Sequence, residues 1–218
     1  MKRLLRKQTL SVLALLILAP LVLLGGRSCR SRAVPVLLYH HFDGVSTSDL
    51  VVTPETFRRQ MTAVKEAGFT AITLRDMLDY VERGRALPEK PVLITMDDGY
   101  ASNLTMAAPI LEELDMCATV FVIGVYEGER LDPLTGWPLY TPRFSYEEAA
   151  VWVEKGVLDL QYHTFDMHRL AEESAGSRDG VLPLSGEAAE RYGAALEEDL
   201  RQFVRRREGR VSTPLTAT

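Results

Sequence analysis

With 218 residues, 46% of them hydrophobic, the chain suits one globular domain plus a short extension. A formal net charge of −5 excludes a general nucleic-acid binder, because no basic face is in excess. The two cysteines, Cys29 and Cys117, make neither a disulfide framework nor a cysteine-based zinc site. Cys117, just ahead of an apolar run, reads as a small buried residue.

The N-terminus reads as a targeting segment. Lys2, Arg3, Arg6 and Lys7 precede an apolar run from Leu10 to Gly26. As a helix, this run spans ~26 Å at ~1.5 Å per residue, close to the ~30 Å hydrocarbon core of a bilayer. Arg27 spoils an A-x-A-like cleavage site, and the residues before Cys29 fit a lipoprotein signal poorly. Residues 1–32 are therefore expected to be an uncleaved signal anchor and linker, with a cleaved signal peptide as the alternative. The basic flank stays in the cytoplasm, which places residues 33–218, the second predicted unit, outside it, either anchored to the membrane or secreted.

Val34 to Tyr39 reads as a strand, ended by His40-His41-Phe42. Thr53-Pro54-Glu55 supplies a capping hydroxyl and a first-turn proline for a helix carrying an apolar stripe of Phe57, Met61 and Val64, which Gly68 ends. Phe69 to Ile72 is a short strand. Thr73 with Asp76 resembles a capping box for a helix to about Arg83. Val92 to Met96 is an apolar strand that stops at Asp97-Asp98-Gly99. A helix follows over roughly Asn103 to Leu114, with Pro109 marking a kink or a later start. Ala118 to Ile123 is a strand, and Glu127 to Pro142 a Gly- and Pro-rich loop. Ser145 with Glu148 opens a helix that Gly156 stops, and Val157 to Tyr162 is the next strand. Ala171 to Ser185 is polar loop, and Gly186 to Arg207 a long amphipathic helix. This alternation predicts a parallel sheet of about five strands with crossover helices.

A strand delivering adjacent carboxylates at its C-terminal end is an active-site arrangement in α/β proteins. In a strand, Asp97 and Asp98 point to opposite sides, but at its end the pleat relaxes and both can face one pocket. One can then ligate a metal while the other holds a water as general base; the competing reading is an Asp-Gly turn. His163 and His168 follow another apolar strand. On one continuous helix an i, i+5 pair would point about 140° apart, so the two converge only if His163 ends the strand and His168 lies past a bend. Two imidazoles and one carboxylate are a common ligand set for catalytic zinc. His40 and His41 lie on the same rim, where either lines the site or packs. Trp137, Tyr140 and Arg143, in the long loop, stack on a sugar ring or serve as packing anchors.

Thr95-Met96-Asp97-Asp98-Gly99-Tyr100 resembles the first motif of the polysaccharide deacetylases (carbohydrate esterase family four, the nodulation-type chitooligosaccharide deacetylase homology domain). His163-Thr164-Phe165-Asp166-Met167-His168 resembles the second, and Val34 to His41 resembles the strand preceding the core in many secreted members. The resemblance spans roughly Val34 to Gly209. It implies a distorted (β/α) barrel, incomplete here at about five strands and preceded by the N-terminal apolar helix. It implies Asp97 as general base, and Asp98, His163 and His168 as ligands of a divalent metal, commonly Zn2+. The implied reaction removes N-acetyl groups from a glycan, peptidoglycan or chitin-like; an O-acetyl glycan esterase is an alternative.

Three departures stand against the family pattern. Met96 replaces an aromatic residue. The histidines are five apart where four is commoner. The later motifs, an arginine that orients the base, a Pro-aromatic-Gly turn and a Leu-x-His that supplies the acid, are not found between Glu197 and Thr218. The chain therefore reads as the metal-binding half of the domain, C-terminally truncated, and an inactive fragment that at most binds metal or glycan stays open beside the enzyme.

Overall fold

The computed structural model describes residues 33–45, 48–131, 136–168, 178 and 180–210. The predicted anchor over Leu10–Gly26 lies outside them, as do the last eight residues and most of the polar stretch after His168. Among the described residues, no helix is long and apolar enough to cross a membrane.

The expected alternation of strand and helix is present. In chain order the strands are β1 (Val36–Tyr39), β2 (His41–Phe42), β3 (Val51–Val52), β4 (Thr70–Ile72), β5 (Pro91–Met96), β6 (Ala118–Ile123) and β7 (Leu158–Thr164). The helices are α1 (Pro54–Glu66), α2 (Leu74–Arg83), α3 (Ala108–Glu113), α4 (Tyr146–Glu154) and α5 (Ala189–Arg207). β1, β4, β5, β6 and β7 form one five-stranded sheet, and every pairing in it is parallel. β2 and β3 form a separate parallel pair that the sequence reading did not foresee.

β5 is the hub. β1 and β4 both pair with Leu93, so they take opposite edges of β5. β1 and β6 both pair with Thr95 and Met96, so β6 follows β4 along the same edge. The Leu74 N–H, at the start of α2, closes that handover by donating to Thr119 Oγ1 at 2.9 Å.

Strand alternation sorts the side chains into two faces. Tyr39, Ile94, Met96, Ala118, Val120, Val122, Leu158 and Leu160 belong to the core, with Phe57, Met61, Leu111, Tyr146, Ala149 and Phe203 packed from the helices. The other face carries Thr95, Thr119, Asp159 and Gln161, all buried, and Asp97 continues it at the rim. On that face, at the β1 edge, Val36 and Leu38 remain exposed.

The caps form as the sequence predicts. Thr73 with Asp76 and Ser145 with Glu148 both make reciprocal capping boxes, and Thr53 accepts from the Thr56 N–H ahead of Pro54. Pro109 marks a later start rather than a kink. Residues Asn103–Ala107 form a wide π turn, and the α-helix begins at Ala108. A proline lacks the N–H that an α-helix interior needs, so the regular ladder starts where that N–H is not required. Several boundaries shift: β1 starts at Val36 rather than Val34, β7 runs on to Thr164, two residues past its predicted end, and α5 starts at Ala189 rather than Gly186.

Candidate active site

The site is built at the C-terminal ends of β1, β5 and β7. At Asp98 the chain leaves β5 with a φ of 71°, and Gly99 follows at 73°. Asp is one of the few residues that adopts the left-handed region, at a cost of order 1–2 kcal/mol. Such strain clusters at functional sites. Gly99 has a second reason to be glycine, since a Cβ there would lie 3.2 Å from Val122 Cγ1. The two residues swing Asp98 out of the strand's alternation and onto the rim beside Asp97. The chain past the turn is held by the loop before α4: Ala101 N–H donates to Pro142 O and Phe144 N–H to Gly99 O.

His163 reaches the rim by a different device. Val122 pairs with Tyr162 and Ile123 with Thr164, so His163 is the extra residue of a β-bulge. Bulges re-aim side chains, and here one turns an imidazole toward the two carboxylates. His163 Nε2 lies 3.7 Å from Asp97 Oδ2 and 3.7 Å from Asp98 Oδ1. His168, past the bend, places Nε2 3.7 Å from the same Asp98 Oδ1. The two imidazole rings sit edge to face with centroids 4.8 Å apart.

Asp98, His163 and His168 thus converge, with one ligand atom from each all within 4.8 Å of one another. In a tetrahedral zinc site, bonds of ~2.1 Å put ligand atoms roughly 3.4 Å apart, so the set fits a small divalent cation after slight contraction. Burial pushes the Asp97 carboxyl above the usual carboxylate range, against the pull of His163 and His40. Burial likewise holds His163 below the ordinary imidazole value, while Asp97 pulls it back up.

His40, left open by the sequence, lines the site: its Nε2 is 3.9 Å from Asp97 Oδ2. Asp97 Oδ2 therefore lies near two imidazoles, that of His163, which belongs to the converging set, and that of His40, which does not. His41 packs instead. Its Nδ1 is 2.9 Å from Ser102 Oγ, which also accepts the Phe42 N–H, and its ring lies against Tyr100. Buried Asn103 donates to the His40 carbonyl at 2.9 Å. Ser102 and Asn103 thus brace the histidine pair from the π turn. Sequence reading passed over both, and the one available signal was two polar residues at the start of an otherwise apolar helix. Of the loop residues, Arg143 is a packing anchor, its guanidinium 3.6 Å from the Tyr100 ring centroid. Trp137 and Tyr140 stay exposed, and the Tyr140 hydroxyl donates to Asp43.

A His-His-Asp set beside a second carboxylate, at the carboxyl rim of a parallel α/β sheet, is an arrangement suited to metal-assisted hydrolysis, and comparison with known proteins narrows the class. The polysaccharide deacetylase family model matches residues 84–191, a stretch that holds Asp97, Asp98, His163 and His168. The chain belongs to that family. Over 97 residues it is 33% identical to YxkH of Bacillus subtilis (strain 168), a protein named among the polysaccharide deacetylases, covering 44% of this chain and 34% of that one. Over 121 residues it is 32% identical to the poly-β-1,6-N-acetyl-D-glucosamine N-deacetylase of Escherichia coli (strain K12), covering 54% of this chain and 18% of that one. The chain thus spans about a third or less of the length of these curated relatives. Among solved structures, IcaB from Ammonifex degensii shares its fold at a TM-score of 0.65 and 20% identity, over 84% of this chain and 72% of that one. The de-N-acetylase of Aggregatibacter actinomycetemcomitans does so at 0.67 and 18%, over 84% and 76%.

Proposed function

We propose that the chain carries the metal site of a hydrolase that removes N-acetyl groups from a polymer of N-acetylglucosamine. The observation that carries this reading is the convergence of Asp98, His163 and His168 beside an Asp97 that stands outside that set. The name of the Escherichia coli relative supports the choice of glycan and of N- over O-deacetylation.

Asp98, His163 and His168 are the residues that would hold a divalent cation, Zn2+ by the nature of the donor set. Such a cation, when bound, supplies Lewis acidity that polarises a carbonyl oxygen and lowers the pKa of a water from 15.7 to about 7. Asp97 takes the proton of the attacking water as general base, and its burial makes it a better base than an exposed carboxylate. Water adds to the acetamide carbonyl carbon, the C–N bond breaks, and acetate and a free amine result. His40, beside Asp97 and outside the converging set, is placed to hand a proton to the departing nitrogen. Trp137 and Tyr140 offer exposed rings to neighbouring sugars.

The Leu10–Gly26 run, with its basic N-terminal flank, supports a location outside the cytoplasm at the membrane. Protease added to intact cells should then remove the domain, and protection from it contradicts that location.

The test of function is acetate release from N-acetylglucosamine oligomers by the zinc-loaded protein. Release that stops on chelation and falls at least ~10²-fold in Asp97→Asn supports the proposal. Release only from O-acetylated glycans, or release indifferent to Asp97, contradicts it.

A further inference from the structure

The two histidines of the site are five residues apart, and the backbone between them must turn sharply. A turn leaves N–H groups without ladder partners, and buried ones need acceptors. Here the acceptor comes from α5, far along the chain. Asp199 is buried, and its carboxylate takes three hydrogen bonds from the segment that carries the histidines. Tyr162 OH and Phe165 N–H donate to Oδ2, each at 2.6 Å, and Asp166 N–H donates to Oδ1 at 2.8 Å.

Tyr162 immediately precedes His163, while Phe165 and Asp166 lie between His163 and His168. The same turn is gripped from its other side. Val125 N–H donates to Phe165 O at 2.8 Å, and the Phe165 ring packs so closely on Gly124 that a Cβ there would be 2.6 Å from it. One peptide is thus held at its N–H by a helix and at its C=O by the strand-end turn after β6. Hydrogen bonds to an ionised acceptor are the stronger kind, and two adjacent N–H groups on one carboxylate fix orientation as well as distance.

We infer that Asp199 is a positioning residue: by clamping the Phe165–Asp166 turn it sets where His168 stands relative to His163 and Asp98. This rests on the metal-site reading above. Asp199 touches neither substrate nor cation; it acts through the backbone that carries a ligand. Nothing in the local sequence of α5 marks it, because its neighbours Glu197 and Glu198 carry the same charge and pair with arginines at the surface.

Asp199→Asn keeps the shape but turns an amide NH2 toward one of the donors, so at least one contact is lost. The experiment is zinc titration of the full chain against a chromophoric chelator, with the absorption spectrum of the Co2+-loaded protein recorded alongside. Asp199→Asn should weaken zinc binding ~10–100-fold, the usual effect of removing a group that supports a metal ligand, and should alter the cobalt d–d bands. Glu197→Gln, on the same helix but exposed, should change neither. A folded Asp199→Asn protein with unchanged affinity and spectrum overturns the inference while leaving the metal site standing. Absence of zinc binding by the unsubstituted chain overturns both. If the variant does not fold, hydrogen exchange in the unsubstituted chain decides: slow exchange at the Phe165 and Asp166 amides is expected, and exchange at the rate of an open loop overturns the inference.

Discussion

Asp97 and Asp98 are chemically identical neighbours with different assignments, and backbone conformation is what separates them. Asp97 directly follows β5 and keeps its ladder, its N–H donating to Tyr39 O, while Asp98 takes a left-handed φ. Asp98→Gly should therefore stabilise the metal-free protein by about 1 kcal/mol, because glycine adopts that conformation without the Cβ clash. The same change should remove zinc binding. Urea melts in the presence of a chelator check the first outcome and zinc titration the second; a loss of stability in metal-free Asp98→Gly contradicts the strain account. His40 is the other residue whose role rests on geometry. His40→Gln should lower kcat ~10²–10⁴-fold, the usual contribution of a positioned proton donor, and leave zinc affinity unchanged. A parallel loss of zinc binding would make it a ligand instead.

At the scale of elements, two local features carry predictions. Ser145 caps α4 in a reciprocal box, so Ser145→Ala should cost ~1 kcal/mol in chemical denaturation. Gly124 closes the turn after β6, where an added Cβ would lie 2.6 Å from Phe165 and 3.0 Å from Phe203. Gly124→Ala should cost ~1–3 kcal/mol from overpacking, and because Phe165 sits between the histidines it should weaken zinc binding too. Elements written in local chemistry were legible in the sequence. The capping boxes, the Pro54 start, the Gly68 and Gly156 stops and the apolar β5 all stand where the pattern of residues placed them. So did the convergence of Asp98, His163 and His168, since strand ends of a parallel sheet share one rim. What escaped was set by partners distant in sequence. The bulge at His163 exists only because β6 pairs with β7 in a shifted register, and no residue of β7 alone announces it. The β2–β3 pair joins two dipeptides too short for any periodicity. Ser102, Asn103 and Asp199 matter for the groups they meet across the fold rather than for their neighbours in the chain.

For the molecule as a whole, the sheet gathers a family-type site onto one rim, and a ligand that binds only the folded state must raise its stability. At a free zinc concentration of about 100 times Kd, linkage gives ~2.7 kcal/mol, or roughly 5–10 °C in Tm for a chain of this size. Scanning calorimetry with and without chelator should show that shift, and Asp98→Ala should abolish it. Its persistence in Asp98→Ala would place the ion elsewhere. The division of labour between the adjacent carboxylates can be seen in a crystal grown with zinc and measured at the zinc absorption edge. One anomalous peak should appear, bonded at ~2.0–2.2 Å to Asp98 Oδ1, His163 Nε2 and His168 Nε2, with Asp97 outside the coordination shell. An ion bonded to Asp97, or one held without His168, would contradict it.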